Sequence, residues 1–414
     1  MILQISFFLS LTILILLIDK IIKKQFQINM LILLTSVLLS FMYKTYLSYA
    51  PVTQENLYFF NFIKSIDFSD LLITYMLSYM LFAGSLLCDI KSLKKHSISI
   101  ASLAFIGTTI STFTVGTLTF YLLSFFGFSI QYIHCLIFGA VVSPTDPIAV
   151  LDMLKHLNAP KGLRNIIAGE SLFNDGVAII LFMTLIKLSE SPSSITISST
   201  VLLFLQQSVG GLVFGYIMGY IANWLNNLSD KNNEIEVIIT IWITTTGYWL
   251  ANSFGFSGPL AMVVSGMYIG NSIKASQKDK LINFWKSIDH LLNAVLFFLI
   301  GFEFILFDMS ILKIIIPISI TIICLTMRAL SVGVSLLPIS RKQNISPSDQ
   351  LVIIWGGIKG GLTLALSLIM PNIPNSNIFI ISAYFIVIFS ILIQGFSIKY
   401  LLNKLDYLHS QKVV

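Results

Sequence analysis

Gly169-Glu170-Ser171-Leu172-Phe173-Asn174-Asp175-Gly176 lies in the middle of an apolar stretch, and an earlier apolar stretch carries Ser143-Pro144-Thr145-Asp146-Pro147. Charges at the depth these positions imply cost several kcal/mol unless they are paired, hydrated or functional. The surrounding chain decides that depth. Of 414 residues 56% are hydrophobic and only 11% are charged, with a mean hydropathy of +0.88. Soluble domains carry roughly 25% charged residues. The composition therefore reads as an all-α multi-pass membrane protein, and no polar segment is long enough to form a separate soluble domain.

Thirteen spans can be counted: 2–19, 28–49, 68–89, 98–127, 131–155, 162–188, 198–225, 234–252, 257–271, 283–304, 311–338, 348–370 and 377–402. The first has no basic residue before it and no small-residue cleavage site after it, so it reads as a spanning helix and not as a secretory signal. Lys and Arg accumulate on the cytoplasmic side of short loops. Alternate loops with the C-terminal tail hold nineteen of the 25 basic residues and the opposite loops four, while Arg328 and Lys359 fall inside spans. This bias predicts an extracytoplasmic N-terminus and a cytoplasmic C-terminus in the cell membrane. The pI near 9.0 follows from topology. Basic residues scattered over short loops form no stripe for nucleic acid.

Helical rise of about 1.5 Å per residue places Asp175 about 16 Å past Arg164, Asp146 about 14 Å before Lys155, Lys359 about 15 Å past Asp349 and Arg328 about 20 Å before Arg341. Two acids and two bases from four spans thus share a depth near the bilayer midplane. Glu170 and Asn174 are four residues apart, as are Ser171 and Asp175, so adjacent ridges of one helix carry carboxylate, amide, hydroxyl and carboxylate. Such a patch can coordinate a small cation, or it can join helices by hydrogen bonds. Pro144 and Pro147 remove backbone donors around Thr145 and Asp146, and irregular backbone at this depth is tolerated only where it lines a cavity or is buried in protein.

The stretch Trp355-Gly356-Gly357-Ile358-Lys359-Gly360-Gly361 weakens the twelfth span where proline breaks the fifth. Spans seven apart run in opposite directions, as expected for inverted repeats with two discontinuous crossing helices. Exposed carbonyl ends in such a crossing carry partial negative charge, which Lys359 is placed to compensate.

These residues resemble the cation:proton antiporter-1 family, in the form of the bacterial NhaP-type sodium/proton antiporters, with a distant similarity to animal sodium/proton exchangers. The matching stretches are Gly139 to Val150, Gly169 to Gly176, Phe256 to Asn271, Leu292 to Gly301, Arg328 to Val332 and Trp355 to Leu366. The resemblance implies a homodimer and a mobile six-helix core, approximately 98–190 and 311–405, sliding against dimerisation helices at approximately 1–90 and 198–305. It implies a Na⁺ site formed by Asp175, Ser171, Asp146 and Thr145 with Asn174 in support, and a structural ion pair between Glu170 and Arg328. It implies no enzyme activity and no cofactor; monovalent cations and protons are the cargo. Two positions depart from the family: Ala83 stands where an acid is common, and Lys359 where arginine is common.

The expected mechanism is competition of Na⁺ or Li⁺ with H⁺ for Asp175, because a buried carboxylate holds either a proton or a hard cation. With Asn174 beside the single transported carboxylate, the exchange is expected to be electroneutral and to proceed by elevator-type alternating access. A K⁺/H⁺ antiporter of the same fold is the alternative, since nothing in the sequence fixes the radius of the site. A passive channel would not need buried Arg328 and Lys359. An intramembrane serine protease built on Gly255-Phe256-Ser257-Gly258 finds no partner histidine inside a span. Cys88, Cys135 and Cys324 are isolated and indicate neither disulfides nor a metal cluster.

Overall fold

A computed structural model of the chain describes residues 28–49, 61, 73, 76–146, 150–151, 154, 159–190, 197–228, 233–273, 275–303, 312–370 and 376–405. The expected first span at 2–19 and Pro147 lie outside these residues. Every regular element among the described residues is helical. In order they are α1 (Ile28–Tyr49), α2 (Leu77–Leu86), α3 (Ile90–Lys95), α4 (Ser97–Phe125), α5 (Tyr132–Val141), α6 (Lys161–Glu190), α7 (Ile197–Leu228) and α8 (233–253). Then come α9 (Gly258–Ser272), α10 (Ala275–Glu303), α11 (Leu312–Leu336), α12 (Pro347–Trp355), α13 (Gly361–Leu368) and α14 (Ser376–Lys404). Six of them contain segments long and apolar enough to cross a membrane: α4, α6, α7, α10, α11 and α14.

Local chemistry explains where these helices start and stop. Ser346 accepts from Asp349 N at 3.0 Å and the Asp349 carboxylate accepts from Ser346 N at 2.9 Å, a reciprocal cap completed by Pro347 in the first turn of α12. Ser257 caps α9 in the same way, accepting from Leu260 N. The end of α5 is set by Pro144, which disfavours helical backbone at Ser143; Ser143 to Asp146 are irregular, and helix is regained by Val150. At the other break α12 ends at Gly356, Gly360 is extended (φ −118°, ψ −161°), and α13 starts at Gly361.

Lipid offers no hydrophobic drive for helix to meet helix, so close backbone approach through small residues matters. Where α4 crosses α5, a Cβ on Gly139 would collide with the Thr112 carbonyl, and one on Gly116 would lie 2.8 Å from the Cys135 carbonyl. The packing falls into two groups. α9 contacts α2 and α7, and α10 contacts α1 and α2, whereas α5 contacts α4 and α6, and α11 contacts α4, α12 and α14. The groups meet where α6 touches α7 and α9, and where α13 touches α10.

Candidate functional site

The two helix breaks are joined to each other: Asp146 N, in the irregular stretch after α5, donates to the Ile358 carbonyl between α12 and α13 at 2.7 Å. Gly360 is required there, because a Cβ would sit 2.5 Å from Asp146 Cβ and 2.6 Å from its carboxylate oxygen Oδ2. Lys359, buried at 5% exposure, donates from Nζ to the Ser143 carbonyl at 3.0 Å. The ammonium thus meets the carbonyl end of α5, where the helix dipole is negative. Ser143 is held in turn by a 2.9 Å hydroxyl contact with Thr112 and by donation to the Gly139 carbonyl at 2.7 Å.

α6 brings its polar ridges against this junction. Asn174, fully buried, donates from Nδ2 to Thr145 Oγ1 at 2.8 Å and to Glu170 Oε1 at 3.2 Å. Thr145 Oγ1 and Ser171 Oγ share a further bond of 3.0 Å. The amide therefore ties a hydroxyl pair on one side to a carboxylate on the other. Glu170, at 1% exposure, accepts both guanidinium arms of Arg328: Nη1 to Oε1 at 2.7 Å and Nη2 to Oε2 at 2.9 Å. Arg328 Nη2 also donates to the Ile353 carbonyl at 3.1 Å, so one ion pair links α6, α11 and α12.

Asp175 and Asp146 differ from Glu170 in remaining partly exposed. The charge of Asp175 lies within reach of Asp146, Glu170 and Lys359. Two carboxylates, two hydroxyls and an amide thus converge from α6 and the α5 break. Hard oxygen donors of this kind suit a small cation, and a lone carboxylate among them also binds a proton.

Each residue singled out from the sequence is in this region: Asp175, Ser171, Asn174 and Glu170 on α6, Asp146 and Thr145 in the α5 break, Arg328 on α11 and Lys359 in the α12–α13 break. Sequence reasoning did not find Ser143 and Thr112 as supports for Lys359, nor Asp289 on α10, whose charge reaches Asp146. For Asp289 a signal existed, since it stands one helical turn before Asn293 in the recognised Leu292-to-Gly301 stretch.

Comparison with known proteins agrees with this architecture. The family described as sodium/hydrogen exchanger, transmembrane, matches residues 55–404. The Na⁺/H⁺ antiporter NhaP of Pseudomonas aeruginosa is 38% identical over 352 residues, covering 83% of each chain. The antiporter NhaH of Halobacillus dabanensis is 30% identical, over 74% of this chain and 76% of that one. Among solved structures, the sodium proton antiporter MjNhaP1 of Methanocaldococcus jannaschii shares the fold, with a TM-score of 0.76 at 17% identity over 98% of this chain and 99% of that one. The chain belongs to the sodium/hydrogen exchanger family, a family of membrane-embedded transporters and not of enzymes.

Proposed function

We propose that the protein exchanges Na⁺ or Li⁺ for H⁺ across the membrane, the two cargoes competing for Asp175. The observation that carries the reading is the contrast between a fully paired Glu170 and a partly exposed Asp175 on the same helix, beside Asp146, Thr145 and Ser171 at two interrupted helices. The printed activities of the relatives point the same way. In this mechanism Asp175 is the carrier group, Asp146, Ser171 and Thr145 supply oxygen ligands, and Asn174 holds Thr145 in place. Glu170 with Arg328 keeps α6, α11 and α12 together without carrying cargo, and Lys359 compensates the carbonyl end of α5.

Coupling follows from exclusion. A carrier loaded with either cargo crosses more readily than one left with a bare buried charge, so proton and cation flow in opposite directions. With one carrier carboxylate, the exchange is one for one and electroneutral. The same proposal includes the thirteen-span inverted-repeat layout with crossing helices, a cytoplasmic C-terminus, and a homodimer in which α4–α6 and α11–α14 slide as a core against α1, α2 and α7–α10. Supporting it are the bond between the two breaks, the division of packing into two groups, and the basic residues of alternate loops.

The test uses purified protein in liposomes. Na⁺ and Li⁺ are each expected to collapse an imposed pH gradient, at rates unchanged when an ionophore clamps the membrane potential. Collapse by K⁺ alone would assign the potassium alternative, a strong voltage response would refute electroneutrality, and no response to any alkali cation would refute antiport.

A further inference from the structure

Asp289 is an acid within α10 that the proposed cycle does not use. It lies at the lysine-rich end of that helix, after Lys278, Lys280 and Lys286. Asp289, Asn293 and Leu296 follow one another at spacings of four and three, which puts them on one helical stripe. The inner end of that stripe is fixed against the α12–α13 break: a Cβ on Gly361 would meet Leu296 Cδ2 at 2.5 Å and Phe297 Cζ at 3.7 Å. The neighbouring Gly360 carries the Asp146 carboxylate on its surface. Asp289 therefore faces the same junction from about 11 Å nearer the lysine-rich membrane face.

Its side chain is held for that position. Buried Asn293 donates from Nδ2 to the Asp289 carbonyl at 2.9 Å and to Asp289 Oδ1 at 3.0 Å, while the carboxylate keeps partial exposure. No basic group pairs with it among the described residues, although its charge reaches Asp146. Two like charges facing each other across a low-dielectric passage repel until a cation comes between them, and a passage lined by one sign of charge concentrates its counter-ion.

We infer that Asp289 is a steering residue: it draws the alkali cation from the lysine-rich face toward Asp146 and Asp175, and so sets the apparent affinity on that side. The inference rests on the antiport reading. Because α10 belongs to the group of helices proposed to stay fixed, Asp289 guides the cation only while the core presents Asp146 to that face.

The test compares wild type, Asp289→Asn and Asp289→Glu in everted vesicles, reading the initial rate of Na⁺-driven collapse of a pH gradient against Na⁺ concentration. At low ionic strength Asp289→Asn should raise the apparent KM for Na⁺ by roughly three- to tenfold while the maximal rate stays within about twofold of wild type. Asp289→Glu should restore the KM. Adding about 0.15 M choline chloride, which shortens the screening length to about 8 Å, should shrink the difference. An unchanged KM at low ionic strength, or a fall in maximal rate alone, would overturn the steering role and leave antiport standing. Wild type that fails to respond to Na⁺ would overturn both readings together.

Discussion

Glu170 and Asp175 stand five residues apart on α6 and have opposite surroundings. Glu170 is sealed and bound by both arms of Arg328, so its charge is answered within the protein. Asp175 stays partly exposed, with Asp146 and Lys359 near it. One helix thus carries a closed charge and an open one, and the difference separates what holds the bundle together from what is free to change occupant. Asn174 lies between them, its amide bridging the Glu170 carboxylate and the Thr145 hydroxyl, so the fixed half also orients the open half.

The comparison can be broken most directly at Asp175. Asp175→Asn keeps size and polarity but cannot ionise, and everted vesicles carrying it should show cation-driven proton flux at background, with a melting temperature in detergent close to wild type. Retained exchange would end the assignment. Arg328→Ala attacks the closed half instead. Removing one partner of a buried pair strands the other charge and costs about 3–5 kcal/mol, so the variant should melt far below wild type. An unchanged melting temperature would show that Glu170 is not held as a fixed ion pair.

Finer tests bear on the open half. Gly360→Ala pushes a methyl into the Asp146 carboxylate and should raise the KM for Na⁺ several-fold, whereas Gly333→Ala on α11 meets nothing within 4 Å and should leave transport alone, stabilising the helix by at most about 1 kcal/mol. Equal behaviour of the two variants would remove Asp146 from the ligand set. The smallest effect lies outside both halves. His96 sits between α3 and α4, where burial and then Lys95 hold its imidazole below the usual value of 6.5, against a Gln343 hydrogen bond that pulls it upward. The unfolded chain takes up that proton first, so stability is intact above pH 6.5 and erodes as pH falls below it. Melting temperatures of His96→Gln across this range should be flatter than those of wild type.

Much of the closed-and-open contrast could be read from residue order, because charge inside hydrocarbon is rare and Pro144 and Gly356 to Gly361 announce where helices stop. Helical spacing alone put Glu170 with Asn174 and Ser171 with Asp175. It could not say which ridge meets which neighbour. That Asn174 reaches Thr145, that Lys359 chooses the Ser143 carbonyl, and that α10 turns Asp289 toward Asp146 depend on tertiary packing between spans far apart in sequence, to which periodicity is blind. Asp289 escaped notice for a further reason: near a lysine-rich helix end an acid looks like ordinary solvated surface.

Three helices contain a π-turn, at Ser102–Gly107 in α4, Ile243–Gly247 in α8 and Ser390–Gln394 in α14. Each accommodates one residue more than a regular α-helical register would. Deleting a single residue from the turn in α14 would let the helix run straight, and would rotate everything after it by about 100°. Ser397, which accepts the Trp355 indole proton at 2.8 Å, would swing away from its donor. One-residue deletions at these three sites should therefore act as axial twists that leave helix content intact, a form of genetic change to which the rest of each rod is far less sensitive.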